Sequence, residues 1–207
     1  MMRTVLEPAD RRLQLLNAAT WVFARRGYRH TGVSEIIARA GVARGTFYLY
    51  FESKHQIFLA ILSAFHDQVA EALDRMAAHP ATPADARRSL ATDCTGWLQL
   101  FAAHRDAAIV VLREAPAIDA RFEQSLLELR QTSLDHFAAR FRDLQALRLA
   151  SAELSPELLA RLQLGMFDEV INTYVLRESD ADLDAIAESL AAFIWNAISR
   201  REPPGTL

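Results

Sequence analysis

Between Val33 and Lys54 the chain reads VSEIIARAGVARGTFYLYFESK, a short helical stretch, a glycine at Gly41, and a second short helical stretch carrying Tyr48 and Tyr50. Two helices joined by a turn of about three or four residues containing Gly form the helix-turn-helix arrangement, whose second helix lies in the DNA major groove. The segment before it is amphipathic: Leu15, Leu16, Ala19, Val22 and Phe23 recur at helical spacing and make one buried face. Gly27 follows Arg26 directly, where a left-handed C-cap is expected.

The rest of the chain continues in the same period. Helices are expected at residues 10–26, 33–40, 44–51, 53–78, 82–104, 107–115, 119–147, 155–177 and 182–201. That gives nine helices and no convincing strand, an all-α chain. Ser53 is placed to cap the fourth helix, and Pro80 and Pro83 break the chain after it. Thr82-Pro83-Ala84-Asp85 and Ser155-Pro156-Glu157 each combine an N-cap hydroxyl, a proline at the first helical position and an acid in the first turn. Pro116 ends the sixth segment, and a Pro-Pro-Gly tail follows the last.

About half of the residues are apolar (51%) and 24% are charged, which excludes disorder as the main theme. No apolar run reaches the roughly 18 residues of a transmembrane helix, and the first dozen residues have no signal-peptide core. The lone Cys94 suits a reducing, cytoplasmic setting. The formal charge of −3 hides an asymmetry. Residues 1–54 hold nine basic against four acidic side chains, a net +5, and the remainder holds 14 against 22, a net −8. A basic head on an acidic body concentrates attraction for phosphate where the helix-turn-helix sits.

Within the second short helix, Phe47 and Phe51 are one turn apart and are expected to point inward onto Phe23 and Ile36. Arg44, Gly45, Thr46, Leu49 and Tyr50 then face outward, with Tyr48 on the flank. Arg44 can fork onto guanine O6 and N7, while the Thr46 methyl or Leu49 can touch thymine methyl groups. Tyr48, Tyr50 and Lys54 can donate to phosphates, and the Val33 amide adds a helix N-terminal phosphate site. Gly45 is unfavourable within a helix by roughly 1 kcal/mol relative to Ala, which makes sense where backbone must approach a partner closely.

From Arg12 to Leu59 the chain resembles the DNA-binding head of the TetR family of bacterial transcription regulators. The resemblance rests on Ala18-Ala19, Phe23, Gly27-Tyr28, Thr31, Val33, Ile36, Ala40-Gly41-Val42, Gly45-Thr46-Phe47-Tyr48, Tyr50-Phe51 and Ser53-Lys54. It implies DNA-backbone contacts at Val33, Thr46, Tyr48, Tyr50 and Lys54, and base-facing positions at Arg44, Gly45 and Leu49. It also implies a head at residues 9–69 with its motif at about 32–51, and a ligand-binding and dimerisation body at residues 70–202. Two positions depart from the family pattern: Gly32 and Ala43 stand where a Ser or Thr usually caps a helix, so fewer phosphate contacts are expected.

One helix-turn-helix reads few base pairs, so such proteins act as two-fold dimers on inverted-repeat DNA sites. The last two helices are the expected homodimer elements, through Leu162, Met166, Val170, Leu183, Ile186, Leu190, Phe193, Ile194 and Ala197. The eighth helix is apolar on more than one face and so needs two partners.

The resemblance further implies a cavity for a small, largely hydrophobic effector. Candidate lining residues are Phe65, His66, Trp97, Phe101, Leu112, Arg113, Phe122, Leu126, Arg130, Phe137 and Phe167. Arg113 and Arg130 lie in apolar segments and must pair, either with an anionic group of the ligand or in a salt bridge. The favoured form of the second reading joins Arg113 to Asp168 or Glu169. The six histidines show no metal-ligand spacing, Cys94 has no sequence-local activator, and no glycine loop cradles phosphate. No cofactor, metal or catalytic role is therefore expected. The sum of these readings is a cytoplasmic, ligand-responsive, dimeric DNA-binding regulator, more a repressor than an activator.

Overall fold

The structure, a computed structural model, describes residues 7–76, 80, 82–114, 118, 120–178 and 180–199. Among the described residues there are nine α-helices and no strand: α1 Pro8–Arg26, α2 Val33–Ala40, α3 Arg44–Tyr50, α4 Lys54–Arg75, α5 Pro83–Ala103, α6 Arg105–Ile109, α7 Ala120–Ala146, α8 Pro156–Val170 and α9 Leu183–Ile198. A single antiparallel bridge joins Ala150 to Ser199. The expected helix ends at 77–78, at 115, at 119 and at 200–201 lie outside the described residues. None of the described helices is long and apolar enough to cross a membrane.

Local chemistry sets most boundaries. The hydroxyls of Ser53, Thr82 and Ser155 accept from the backbone N–H groups of Gln56, Asp85 and Leu158, at 3.1, 3.1 and 3.2 Å. Asp182 caps α9 through Ala185 N–H at 3.1 Å. Each such cap satisfies a donor that the first helical turn leaves open, worth about 1 kcal/mol. Gly41 ends α2 in the left-handed region, φ 67° and ψ 33°. Gly27 departs from the expected left-handed cap: its φ of 78° is positive but its ψ of 154° sends the chain away extended.

Two segments differ from simple α-helix. After α6 the chain widens into a π-helical turn, π1, over Val110–Glu114, and α8 runs into a second, π2, over Ile171–Val175. In π2 the wide ladder is explicit, with Leu176 N–H donating to the Ile171 carbonyl at 2.9 Å and Glu178 N–H to Thr173 at 3.2 Å. Widening to an i→i+5 ladder places Ile171, Val175 and Leu176, four and five residues apart, together in the core. An α-helical continuation keeps Ile171 and Val175 on one face but turns Leu176 away from it.

The chain divides into two compact units, Met1–Asp67 with His104–Leu127, and Gln68–Ala103 with Glu128–Leu207. In the first, α1 packs on α2, α6 and π1, and α2 on α3. Leu15, Ala19, Phe23, Ile36, Phe47, Ile57 and Phe58 are fully buried there. An aromatic chain threads this core: Phe23 to Phe58 at 5.4 Å between centroids, Phe58 to Tyr28 at 4.8 Å, and Phe58 to Phe122 at 4.6 Å. Edge and tilted ring pairs at these separations add to the roughly 1.5–3 kcal/mol that each buried large side chain contributes.

In the second unit α5 lies along α9 and against π2. Its core holds Trp97, Leu98, Phe137 and Phe167 with Ala187, Ala191, Ile194 and Ile198 of α9. Arg140 binds this unit internally: it pairs with Asp93, donates to the Ser89 hydroxyl at 3.1 Å and to the Met76 carbonyl at 3.2 Å. Burial pushes the Asp93 carboxyl up, against the opposing pull of Arg140. Burial, with Asp93 alongside, drives the Cys94 thiol up to about 12, which makes it an inert core group.

Candidate nucleic-acid interface

The outward face of α3 carries what the sequence placed there. Phe47 and Phe51 turn inward and are buried, with their rings 6.0 Å apart. On the other side Leu49 is 81% exposed and Tyr48 45% exposed, beside exposed Arg44 and Gly45. Thr46 and Tyr50 are half-buried at the margins. The Arg44 guanidinium stands 5.9 Å from the Tyr48 ring centre, within cation–π range. A Cβ built on Gly45 meets no atom of the protein within 4 Å, so packing inside the chain gives no reason for glycine.

Both departures at the helix starts are visible. Ala43 caps α3 without a side-chain hydrogen bond. At Gly32 the missing hydroxyl is compensated from the third residue on: Glu35 accepts the Gly32 N–H at 3.0 Å and the Ser34 hydroxyl at 3.0 Å. Hydrogen bonds from its own backbone N–H, from Ser34 and from Gly32 hold the Glu35 carboxyl below its usual range. The Val33 amide opens α2 beside that carboxylate.

Lys54 has a role the sequence did not show. Its ammonium donates to the Tyr28 carbonyl at 2.8 Å and lies 4.1 Å from the centre of that residue's ring. Partial burial pushes its pKa down. The same Tyr28 is gripped on its other side, where its N–H donates to Glu114 at the end of π1 at 2.9 Å. A Cβ on Gly27 would come within 3.0 Å of that Glu114 oxygen, and the positive φ there disfavours other residues as well. The connector between α1 and α2 is thus held from α4 and from π1. Nothing in the sequence signals the Glu114 contact, since 86 residues separate its partners.

The candidate effector residues fall into two groups. In the second unit Trp97, Phe101, Phe137 and Phe167 come together, with Trp97 at 5.4, 5.5 and 5.8 Å from the other three rings. The Trp97 Nε1 is buried and has no hydrogen-bond partner among the described residues. Phe65, His66, Leu112, Arg113, Phe122 and Leu126 belong to the first unit. There Phe122 is part of the aromatic chain, against Phe58 and His55. Arg113 is exposed on π1. Of the two carboxylates expected near it, Asp168 pairs with Arg130 at 2.5 Å. Arg130 on α7 and Asp168 on α8 lie in the same unit.

The last two helices each present two apolar faces. On α9, Ala187, Ala191, Ile194 and Ile198 turn into the core, while Phe193 is 63% exposed and Ala197 lies beside it on the outer side. Leu190 and Ile194, expected at a dimer interface, are already buried within the chain, whereas Leu183 and Ile186 are half-buried. On α8, Leu158 and Leu162 (50% exposed) head a row continued by half-buried Met166 and Val170 and by exposed Tyr174. A groove of about 620 Å³ is lined by Val170, Tyr174, Ile186 and Leu190 together with Glu178, Asp182 and Ser189.

Residues 15–61 match the family model described as "Bacterial regulatory proteins, tetR family". The chain is 30% identical to a fatty acid metabolism regulator protein of Bacillus subtilis, over 91% of this chain and 96% of that one. It is 29% identical to the HTH-type transcriptional repressor BepR of Brucella suis, over 88% of this chain and 89% of the relative. It superposes on the transcriptional regulator FadR from Bacillus subtilis, solved in complex with stearoyl-CoA, with a TM-score of 0.71, 26% identity, and coverage of 90% of this chain and 98% of that one. Similarity over nearly the full length of these regulators, on an all-helical chain with an exposed α3 at its basic end, settles the family. The chain belongs to the TetR family of bacterial transcription regulators, DNA-binding proteins that catalyse no reaction.

Proposed function

We propose that this regulator is a cytoplasmic, ligand-responsive repressor that binds a palindromic operator as a homodimer. The observation that carries the reading is the exposed row Arg44–Gly45–Tyr48–Leu49, in which a leucine 81% open to solvent lies among a guanidinium and hydroxyls. Arg44, Gly45 and Leu49 face bases, and Val33, Thr46, Tyr48, Tyr50 and Lys54 hold the backbone. The DNA-binding domain spans residues 9–69 and the effector and dimerisation domain residues 70–202. Two copies meet through the outer rows of α8 and α9, whose Leu158, Leu162 and Phe193 a single chain leaves open to solvent.

The effector proposed is a long-chain acyl thioester. The similar regulator FadR from Bacillus subtilis was solved with stearoyl-CoA. The buried aromatic group of Trp97, Phe101, Phe137 and Phe167 is the apolar surface an alkyl chain would meet on opening it, and the unpartnered Trp97 N–H is a donor for a carbonyl oxygen. Binding lowers operator affinity only if the ligand prefers the conformer that releases DNA.

The experiment is selection from a randomised double-stranded DNA library, followed by titration of the enriched site against salt and stearoyl-CoA. An inverted repeat with a steep salt slope, released by micromolar acyl-CoA, is the expected result. Enrichment of a single half-site would overturn the dimeric reading. Release by no acyl-CoA of any chain length would overturn the effector assignment while leaving the operator intact.

A further inference from the structure

One cation in the head is held in place with no anion to neutralise it. Arg12 leaves α1 exposed, and its guanidinium carbon stands 5.1 Å from the centre of the Phe51 ring. Phe51 is the C-cap of α3: its N–H donates to the Phe47 carbonyl at 3.0 Å and its side chain is 2% exposed. The first helix therefore delivers a positive charge to the C-terminal end of α3, next to Tyr50. Other arginines of α1 are engaged differently. Arg25 pairs with Asp106 at 2.7 Å, and Arg11 donates to Gln14 at 2.6 Å. Among the described residues no carboxylate pairs with Arg12.

A guanidinium lying on an aromatic face keeps its N–H groups free in its own plane. Contact with the ring restrains the side chain, so less freedom is lost when those donors engage a bidentate acceptor. The matching acceptor beside a helix in the major groove is a phosphodiester, whose two free oxygens take the fork. Lys54, also at this end, spends one of its three donors on the Tyr28 carbonyl and is partly desolvated, which leaves fewer for phosphate. Among the described residues Arg12, Arg39 and Arg44 each rest on an aromatic ring with their donors uncommitted, and of these Arg12 stands at the Phe51 end of α3.

We infer that Arg12 is a further DNA-contacting residue, gripping a backbone phosphate at the C-terminal end of α3 and positioned for it by the Phe51 ring. The inference rests on α3 being the recognition helix. A grip on phosphate carries no base information, so it strengthens operator and unrelated duplex alike.

The test uses the full-length dimeric protein, its selected operator and a scrambled duplex of equal length. Arg12→Met keeps an apolar stem over Phe51 and removes the charge. The expected result is loss of roughly tenfold in affinity per head on both duplexes. The slope of log affinity against log salt falls by about 0.9 for each head engaged, with the melting temperature unchanged. An unchanged salt slope overturns the inference, whatever happens to stability, because covering Phe51 is then all that Arg12 does. Should Arg12→Met fail to fold, Arg12→Gln is judged by the same slope. Arg44→Ala run in parallel separates the two layers: if it alters base preference while Arg12→Met leaves the slope intact, only the Arg12 contact is lost. If neither variant changes anything, α3 is not the reading helix.

Discussion

Leu49 on α3 and Phe193 on α9 are the same kind of anomaly, large apolar side chains open to solvent at 81% and 63%. Their neighbours separate them. Around Leu49 stand a guanidinium, two phenol hydroxyls, a threonine and a bare glycine backbone, in the part of the chain with a net +5. Beside Phe193, one turn along α9, stands exposed Ala197, with no cation on that helix, in the part with a net −8. An exposed apolar residue says only that something covers it. The polarity of its surroundings says what: a polyanion whose bases carry methyl groups in one case, and an equally apolar surface in the other.

The largest expected effect comes from putting charge on the second face. Leu162→Glu with Phe193→Glu removes about 1.5–3 kcal/mol of burial at each position, and two-fold symmetry applies each change twice, so roughly 6 kcal/mol or more leaves the interface. Light scattering should show a folded monomer, and operator binding should fall to that of a half-site. A dimer that survives both charges means the copies meet elsewhere. Next in size is Arg44→Ala, expected to cost about 1–3 kcal/mol of discrimination at one base position. Equal loss across randomised operators would remove Arg44 from the base-reading set. Tyr48→Phe should lose about 1 kcal/mol on every sequence, because a phenol bond to phosphate reads no base.

Much of this was legible because it is local. A hydroxyl three residues before a free N–H is a cap wherever it occurs, and so Ser53, Thr82 and Ser155 act as their sequence says. The in–out pattern of α3 follows from Phe47 and Phe51 being one turn apart. What stayed hidden depends on distance or on a change of period. Glu114 meets Tyr28 across 86 residues, and Asp168 takes Arg130 across 38. The π-helical turns escape a search for the 3.6-residue period: π2 buries Leu176 five residues after Ile171, and π1 buries the adjacent Val110 and Val111. On α9 the sequence merges two adjacent faces: Leu190 and Ile194 look like one stripe with Phe193, yet the structure buries the first two inside the chain.

Glycines give the sharpest way to divide the two faces. Gly45 on α3, Gly165 on α8 and Gly96 on α5 all sit in helices, and at none would a Cβ meet any protein atom within 4 Å. Replacement by alanine should therefore stabilise the isolated fold at each site, by up to about 1 kcal/mol, with Gly45 lowest because it lies in the first turn. Their effects on partners should diverge. Gly45→Ala should raise the melting temperature and weaken operator binding, since the new methyl stands where DNA backbone or a base edge approaches α3. Gly165→Ala lies near the α8 strip of Leu162 and Met166, so it should weaken dimerisation and leave a pre-formed dimer's base preference unchanged. Gly96→Ala should do neither, and so calibrates the gain in stability alone. Calorimetry, sedimentation and operator titration on the three variants make a complete set. If Gly45→Ala stabilises the protein and binds the operator as tightly as before, then close approach at α3 is not the reason for that glycine. The base-facing assignment would then rest on Arg44 and Leu49 alone.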